Sequence, residues 1–228
     1  MSIDRRRIIG LFAASTATAL AGCGGGGSSS APPTRFVWLL NLNPEFPAAD
    51  VSISGTPVAS GLPSPGLTNA AEVEFGSYTF GLRERSNGNT QNFDRVLIDD
   101  VSPSMFVFYR RFASTGLDAS PPGIINYFDS KFSLDVDLLD DAGGAQLERL
   151  AFEGSAPQNS RSRNCRLRLF AAGSPVLVYD SGVQQRTDSI LVFPRFPAAS
   201  PRSGEVAVVG LNYGPNNAGA VVWPNLLG

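Results

Sequence analysis

Apolar and polar residues alternate with a period of two in many short runs along this chain. Val51 and Ile53 alternate with Ser52 and Ser54, and Gly55-Thr56-Pro57 closes that run. Val73 and Phe75, then Tyr78, Phe80 and Leu82, alternate around a turn at Gly76-Ser77. Leu134, Val136 and Leu138 alternate with Asp135 and Asp137 behind Phe132 and Ser133, and Cys165, Leu167 and Leu169 alternate with Arg166 and Arg168. A two-residue period puts one set of side chains on each face of a pleated strand. Phe36 to Leu40 is apolar on both faces, as a central buried strand would be, and Val96 to Ile98, Met105 to Tyr109, Val176 to Tyr179, Ile190 to Phe193 and Glu205 to Leu211 read as further strands. The best helical candidate is Ala142 to Phe152, with Leu147, Leu150 and Ala151 spaced for one face, although Gly143-Gly144 weakens it.

With turn residues at this frequency, the runs predict an all-β protein of sandwich type. Tyr78 to Tyr109 and Arg166 to Phe193 share a rhythm of strand, glycine-containing turn, strand, loop and aromatic-rich strand. The stretch from Ser114-Thr115-Gly116 to Pro121-Pro122-Gly123 is the natural break between the repeats. The fold expected is therefore two tandem antiparallel β-sandwich domains, 35–117 and 118–228.

The first 34 residues do not belong to that pattern. Arg5-Arg6-Arg7 is followed by an uncharged, mostly apolar run from Ile8 to Gly22, which is too short to span a bilayer permanently and fits a signal-peptide core. Leu20-Ala21-Gly22-Cys23 resembles the lipobox of bacterial lipoproteins. The resemblance implies cleavage between Gly22 and Cys23 and acylation of the Cys23 thiol, which anchors the mature chain in membrane lipid. Arg5 and Arg6, with the apolar residues after them, also resemble the twin-arginine export motif. Residues 1–22 are thus read as the signal peptide. Residues 23–34 are read as the lipidated cysteine and a tether of Gly24-Gly25-Gly26-Gly27-Ser28-Ser29-Ser30-Ala31-Pro32-Pro33, whose composition cannot bury a core. Gly24 stands where an Asp would favour inner-membrane retention, so the expected location is the cell envelope at the outer membrane.

A second resemblance covers the start of the first predicted domain. Arg35-Phe36-Val37 with Asn41 and Pro44, then Ala49-Asp50-Val51-Ser52-Ile53-Ser54-Gly55 with Val58-Ala59, and Phe75-Gly76-Ser77-Tyr78-Thr79-Phe80, resemble a bacterial cell-envelope family. That family is catalogued only as a domain of unknown function and often occurs in tandem. It implies immunoglobulin-like sandwiches and export, and it brings no catalytic residues. The match is good over 35–112 and weak over 123–228.

Composition narrows the chemistry. The net charge is −2, and 17% of the residues are charged, which leaves no basic field for a nucleic acid. Seventeen of the 18 cationic residues are Arg, with Lys131 the exception, a bias attributed to base composition. The chain contains no His, which removes the commonest general base and most zinc ligation. Asp135, Asp137, Asp140 and Asp141 lack calcium-loop spacing and read as a solvated strand face and a turn. Asp94, Asp99 and Glu153 are the carboxylates a two-carboxylate hydrolase would draw on, yet nothing in the sequence brings a chosen pair together. With Cys23 acylated, Cys165 is the remaining thiol and reads as a small buried hydrophobe. No cofactor or metal is expected.

Tyr109-Arg110-Arg111-Phe112 and Phe193-Pro194-Arg195-Phe196 echo one another, each placing Arg among aromatics after the last strand of a repeat. Tyr109, Arg111, Phe112, Phe193, Arg195 and Phe196 are the candidates for a binding edge. The leading expectation is a non-catalytic envelope lipoprotein that contacts a protein or glycan partner. A carbohydrate-binding face lined by Phe106, Phe108, Tyr109, Phe112, Tyr127, Phe128, Phe193 and Phe196 is the alternative, and a hydrolase ranks third.

Overall fold

In the computed structural model, residues 31–102, 104–111, 114–119, 123–128, 133–141, 144–158, 162–196, 203–212 and 219–227 are described. These residues are all strand, turn and loop. Pro32–Gly228 form one compact unit that contains two halves of matching topology.

The first half holds β1 (Thr34–Asn41), β2 (Ala48–Ile53), β3 (Thr56–Pro63), β4 (Gly66–Leu67), β5 (Ala71–Glu74), β6 (Gly76–Glu84), β7 (Thr90–Ile98), β8 (Met105–Arg111) and β9 (Ser114–Ala119). The second holds β10 (Gly123–Asn126), β11 (Leu134–Asp140), β12 (Ala145–Leu150), β13 (Ser155–Ala156), β14 (Asn164–Ala171), β15 (Leu177–Gln185), β16 (Ser189–Pro194), β17 (Val206–Asn212) and β18 (Gly219–Trp223). In the first half the sheets are ordered β3-β2-β6-β7 and β4-β1-β8-β9, with β5 also on β1. In the second they are β12-β11-β14-β15 and β13-β10-β16-β17-β18.

The two halves correspond except at two strands: β5, on β1, has no counterpart in the second half, and β18, on β17, has none in the first. In both, the first strand lies parallel to a late one: Leu40 faces Val107 between β1 and β8, and Ile125 faces Leu191 between β10 and β16. Every other pairing is antiparallel, so these inner sheets are mixed, whereas the sequence reading expected purely antiparallel sheets. The reason is that β7 ends on the outer sheet and the following loop returns the chain to the edge where β1 begins.

Three cores follow from the alternation. Val37, Leu39, Phe106 and Phe108 pack against Val51, Ile53, Phe80 and Leu82, between the sheets of the first half. Ile124, Ile190, Val192 and Val208 pack against Val136, Leu138, Leu167 and Leu169 in the second. The other faces of the inner strands meet in a third core, where Leu40, Leu42, Met105, Val107 and Tyr109 lie against Ile125, Tyr127, Leu191, Phe193, Val209 and Leu211. Inner strands are therefore apolar on both faces, and all six residues of β16 are buried. A fully buried Leu, Phe or Val contributes about 1.5–3 kcal/mol, so eleven side chains in the middle layer bind the halves firmly.

Two segments differ from expectation. Ala145–Leu150 is the edge strand β12, not a helix, and pairs with β11 from Leu134↔Leu150 to Leu139↔Ala145. Its alternation of exposed Leu147 and buried Leu150 wins over a helical period interrupted by glycines. The stretch read as the break between repeats begins with β9, which pairs with β8 from Arg111↔Ser114 to Phe106↔Ala119.

Candidate functional site

Three places gather polar or aromatic side chains in ways that bear on function. The first is the junction of the halves at the end of β8. Tyr109 stacks on Tyr127, with ring centroids 4.4 Å apart, and lies 6.0 Å from the Phe152 ring. Its hydroxyl donates a short hydrogen bond to Glu153 Oε1, and Arg111 Nε reaches the same oxygen at 3.1 Å. Glu153 is set by its backbone, which adopts a positive φ of 59° and donates its N–H to the Asn126 carbonyl at 2.8 Å. One carboxylate of the second half thus joins a phenol and a guanidinium of the first. This is a latch, and it gives Tyr109 a structural post in place of the ligand contact expected of it.

The other binding-edge candidates separate. Phe193 is buried in the middle core, 2% exposed, opposite Ala207. Arg195 lies over the Phe196 ring at 5.7 Å, and Phe196 is half exposed. Phe112 lies outside the described residues, as do Arg5, Arg6, Gly22 and Cys23. Phe106, Phe108, Tyr127 and Phe128 are all core. Of the rings proposed for a carbohydrate face, Phe106, Phe108, Tyr109, Tyr127, Phe128 and Phe193 are buried, because the segments that carry them lie against hydrophobic layers.

The second place is the outer face of β11, β12, β14 and β15. Asp135 accepts from Arg149 Nε at 2.6 Å and Nη2 at 2.9 Å, and Asp180 accepts from Arg166 at 2.9 and 2.5 Å. Between these pairs Asp137 meets Arg168. The guanidinium bond to Arg149 holds the Asp135 carboxyl below its ordinary pKa, and the bond to Arg166 does the same for Asp180. Asp137 is only 4% exposed, so the face is not the freely solvated one expected: cross-strand Arg168 covers that carboxylate, while Asp135 stays partly exposed beside Arg149. Asp140 Oδ1 closes the hairpin turn on the Gly144 N–H at 2.7 Å, and Asp141 accepts from Asn164 at 3.1 Å. Among the described residues no three His, Cys, Asp or Glu side chains gather to hold a metal. An open depression of about 460 Å³ lies over this face, lined by Asp135, Asp137, Leu147, Glu148, Arg149 and Phe170.

The hydrolase candidates are dispersed. Asp94 accepts from Thr79 Oγ1 at 2.7 Å on the outer sheet. Asp99 caps its own loop, accepting the Ser102 hydroxyl at 2.6 Å and the Ser102 N–H at 2.7 Å. Asp99 neighbours Arg35 at the start of β1, while Glu153 neighbours Arg111 at the end of β8. Because β1 and β8 run parallel, those are opposite ends of one sheet.

The third place is one for which the sequence reading offers Asn41 only as part of a family resemblance and does not single out Asn126. Asn41 and Asn126 are fully buried at equivalent positions, and each uses its amide to tie down loop backbone. Asn41 Nδ2 donates to the Phe46 carbonyl at 2.8 Å and its Oδ1 accepts the Asn43 N–H at 3.1 Å. Asn126 Nδ2 donates to the Leu150 carbonyl at 3.1 Å and its Oδ1 accepts the Phe128 N–H at 2.9 Å. The available signal was a lone Asn inside an apolar strand end, in Leu40-Asn41-Leu42 and Ile125-Asn126-Tyr127.

Cys165 lies in the second core, where burial pushes its thiol up to about 11. No family model matches the chain, and no curated protein does.

Proposed function

We propose that this chain is a cell-envelope lipoprotein, anchored in membrane lipid through acylated Cys23, whose folded part is a non-catalytic structural or protein-interaction module. The observation that carries the reading is Leu20-Ala21-Gly22-Cys23, placed after a cationic start and a 15-residue uncharged run and followed by a Gly/Ser/Pro tether. The tether meets the body at exposed Thr34, the first residue of β1, so an anchor at Cys23 leaves the fold undisturbed. Two or three acyl chains, at about 0.8 kcal/mol per buried methylene, exceed what stable anchoring requires.

The body's chemistry supports display rather than turnover. Its best-placed carboxylates cap loops, latch the halves or pair with arginines across strands, all of which are ways of holding shape. The outer membrane is the location this reading favours, with an envelope protein as the partner class.

The anchor is tested by fractionating cells that express Cys23→Ser. Release of the variant into the soluble fraction is the expected result, and tight membrane association that persists without Cys23 refutes acylation. Crosslinking in intact cells tests the module: a discrete protein adduct supports it, whereas turnover of an envelope polymer by the purified protein overturns it.

A further inference from the structure

The end of the molecule at which the tether enters carries an exposed apolar rim. Phe36 is 51% exposed, Phe75 37%, Leu97 59% and Val101 82%. Backbone links bring the four to one end. The Phe75 N–H donates to the Pro33 carbonyl at 2.9 Å, and Phe36 sits opposite Glu72 in the β1–β5 register. Leu97 faces Ser77 and its neighbour Ile98 faces Gly76, the residue after Phe75. Arg35 Nη1 donates to the carbonyls of Asp99 and Asp100 at 3.1 and 2.7 Å, which ties the Val101 loop to the start of β1.

The rim is held out by its own structure. Asp99 Oδ1 accepts the N–H groups of Val101 at 3.1 Å and Ser102 at 2.7 Å, so the tip of the loop is propped with its valine in solvent. Apolar side chains fixed outward on a capped loop and at strand ends offer surface to something apolar at little ordering cost.

We infer that this rim is a foot that rests on the lipid bilayer, an inference that depends on the Cys23 anchor proposed above. Eleven positions separate Cys23 from Thr34. A chain of that length spans at most roughly 35–40 Å, and roughly 15–20 Å on average. The residue that leaves the tether, Pro33, is bonded to Phe75, so the rim is the part of the body held closest to the anchored lipid. Tethering raises the effective concentration of bilayer at the rim, and contacts too weak to bind alone then suffice. Aromatic and aliphatic side chains at the headgroup boundary are the chemistry of such contacts. Exposed Glu72, Glu74 and Asp100 flank the rim and outnumber exposed Arg95, two positions from Leu97 on β7, while the Arg35 guanidinium is turned onto carbonyls. The foot therefore suits a zwitterionic surface and is repelled by an anionic one.

The test uses the full lipidated chain with Val101→Cys carrying an environment-sensitive fluorophore. Labelling is selective because Cys23 is acylated and Cys165 is buried. Vesicles of phosphatidylethanolamine and phosphatidylcholine contain a spin-labelled lipid quencher, and a parallel chain carries the probe at Leu147→Cys, on the edge strand β12. Strong quenching at 101, none at 147, a severalfold loss of quenching with Phe36→Ser and Phe75→Ser together, and weaker quenching on phosphatidylglycerol vesicles are expected. Protein that floats with the vesicles while its 101 probe remains aqueous overturns the foot and leaves the anchor standing. Equal quenching at both positions also overturns it. Protein that fails to float refutes the anchor, and the foot with it.

Discussion

Asn41 and Asn126, 85 positions apart, occupy the same place in the two halves of the molecule. Each ends the strand that pairs in parallel with a late strand, each is completely buried, and each accepts the N–H two residues on while its amide nitrogen holds a backbone carbonyl. A polar side chain at the meeting of two cores is tolerated only because it replaces water for backbone groups that water cannot reach.

Substitution tests this role directly. Asn41→Leu and Asn126→Leu each leave a buried carbonyl and a buried N–H without a side-chain partner and are expected to destabilise the protein by about 2 kcal/mol or more. Urea denaturation measures the change; an effect under about 0.5 kcal/mol at both sites would show that the amides are dispensable.

The latch between the halves predicts coupling. Tyr109→Phe keeps the ring on Tyr127 but deletes the hydroxyl that meets Glu153, at an expected cost of about 1–2 kcal/mol. Glu153→Gln should cost a similar amount, and the double variant less than the two together, because both changes break one interaction. Additive losses in the double-mutant cycle contradict the latch.

Acid should weaken the fold through the ladder on β12, β11, β14 and β15. Asp135 and Asp180 bind protons less readily folded than unfolded, because Arg149 and Arg166 hydrogen-bond their charged forms. Their contribution is fully present above the ordinary value of 3.8 and is lost as pH falls through the lower folded values. Stability measured from pH 6 to pH 2 should therefore drop below about 4, and Asp180→Asn should flatten the drop. An unchanged slope in that variant assigns the acid sensitivity elsewhere.

Cys165 should be silent in the native protein. Its burial raises the thiol from 9.0 to about 11, so little thiolate forms near neutrality. A thiol reagent at pH 7.5 is expected to modify it slowly when native and at once in denaturant. The same shift means that stability is complete below 9.0 and declines as pH rises towards 11.

Gly210 makes room for β18. A Cβ there would come within 2.7 Å of the Thr187 side chain and of Trp223 Nε1. Gly210→Ala should thus cost about 1–3 kcal/mol by overpacking, read as a lower midpoint with an unchanged denaturant slope.

The strands were legible wherever one face is buried and the other is not, as in β2, β11 and β14, because a period of two has one structural meaning there. The pairing was not legible. Nothing local in Phe36-Val37-Trp38 tells that β1 will lie parallel to β8, since that depends on where the chain has travelled in between. The aromatics of β8 misled for a related reason: a strand between two cores carries rings on both faces, and a run of rings reads equally well as a ligand surface. The ion-pair ladder was half legible, as Asp135 and Asp137 showed the right face but not the arginines that strands β12 and β14 bring across. Ala142 to Phe152 offers the best helical candidate because Leu147 and Leu150 stand three apart, a spacing that an edge strand ending in the core also produces.

The parallel pairing has a kinetic consequence. Trp38 meets Met105 and Ile124 meets Ile190, so each inner sheet closes only after more than sixty intervening residues have been made and placed. Contacts of such sequence separation are slow to form, because loop closure is unfavourable before any of the pairing is gained. Until β8 and β16 arrive, β1 and β10 offer unpaired edges and apolar faces to whatever is near, which makes each half a unit that succeeds late and all together. A chain of this kind benefits from a protected interval between synthesis and the arrival of its last strands. The topology of two strand pairs thus sets a timing requirement on the folding of the whole molecule.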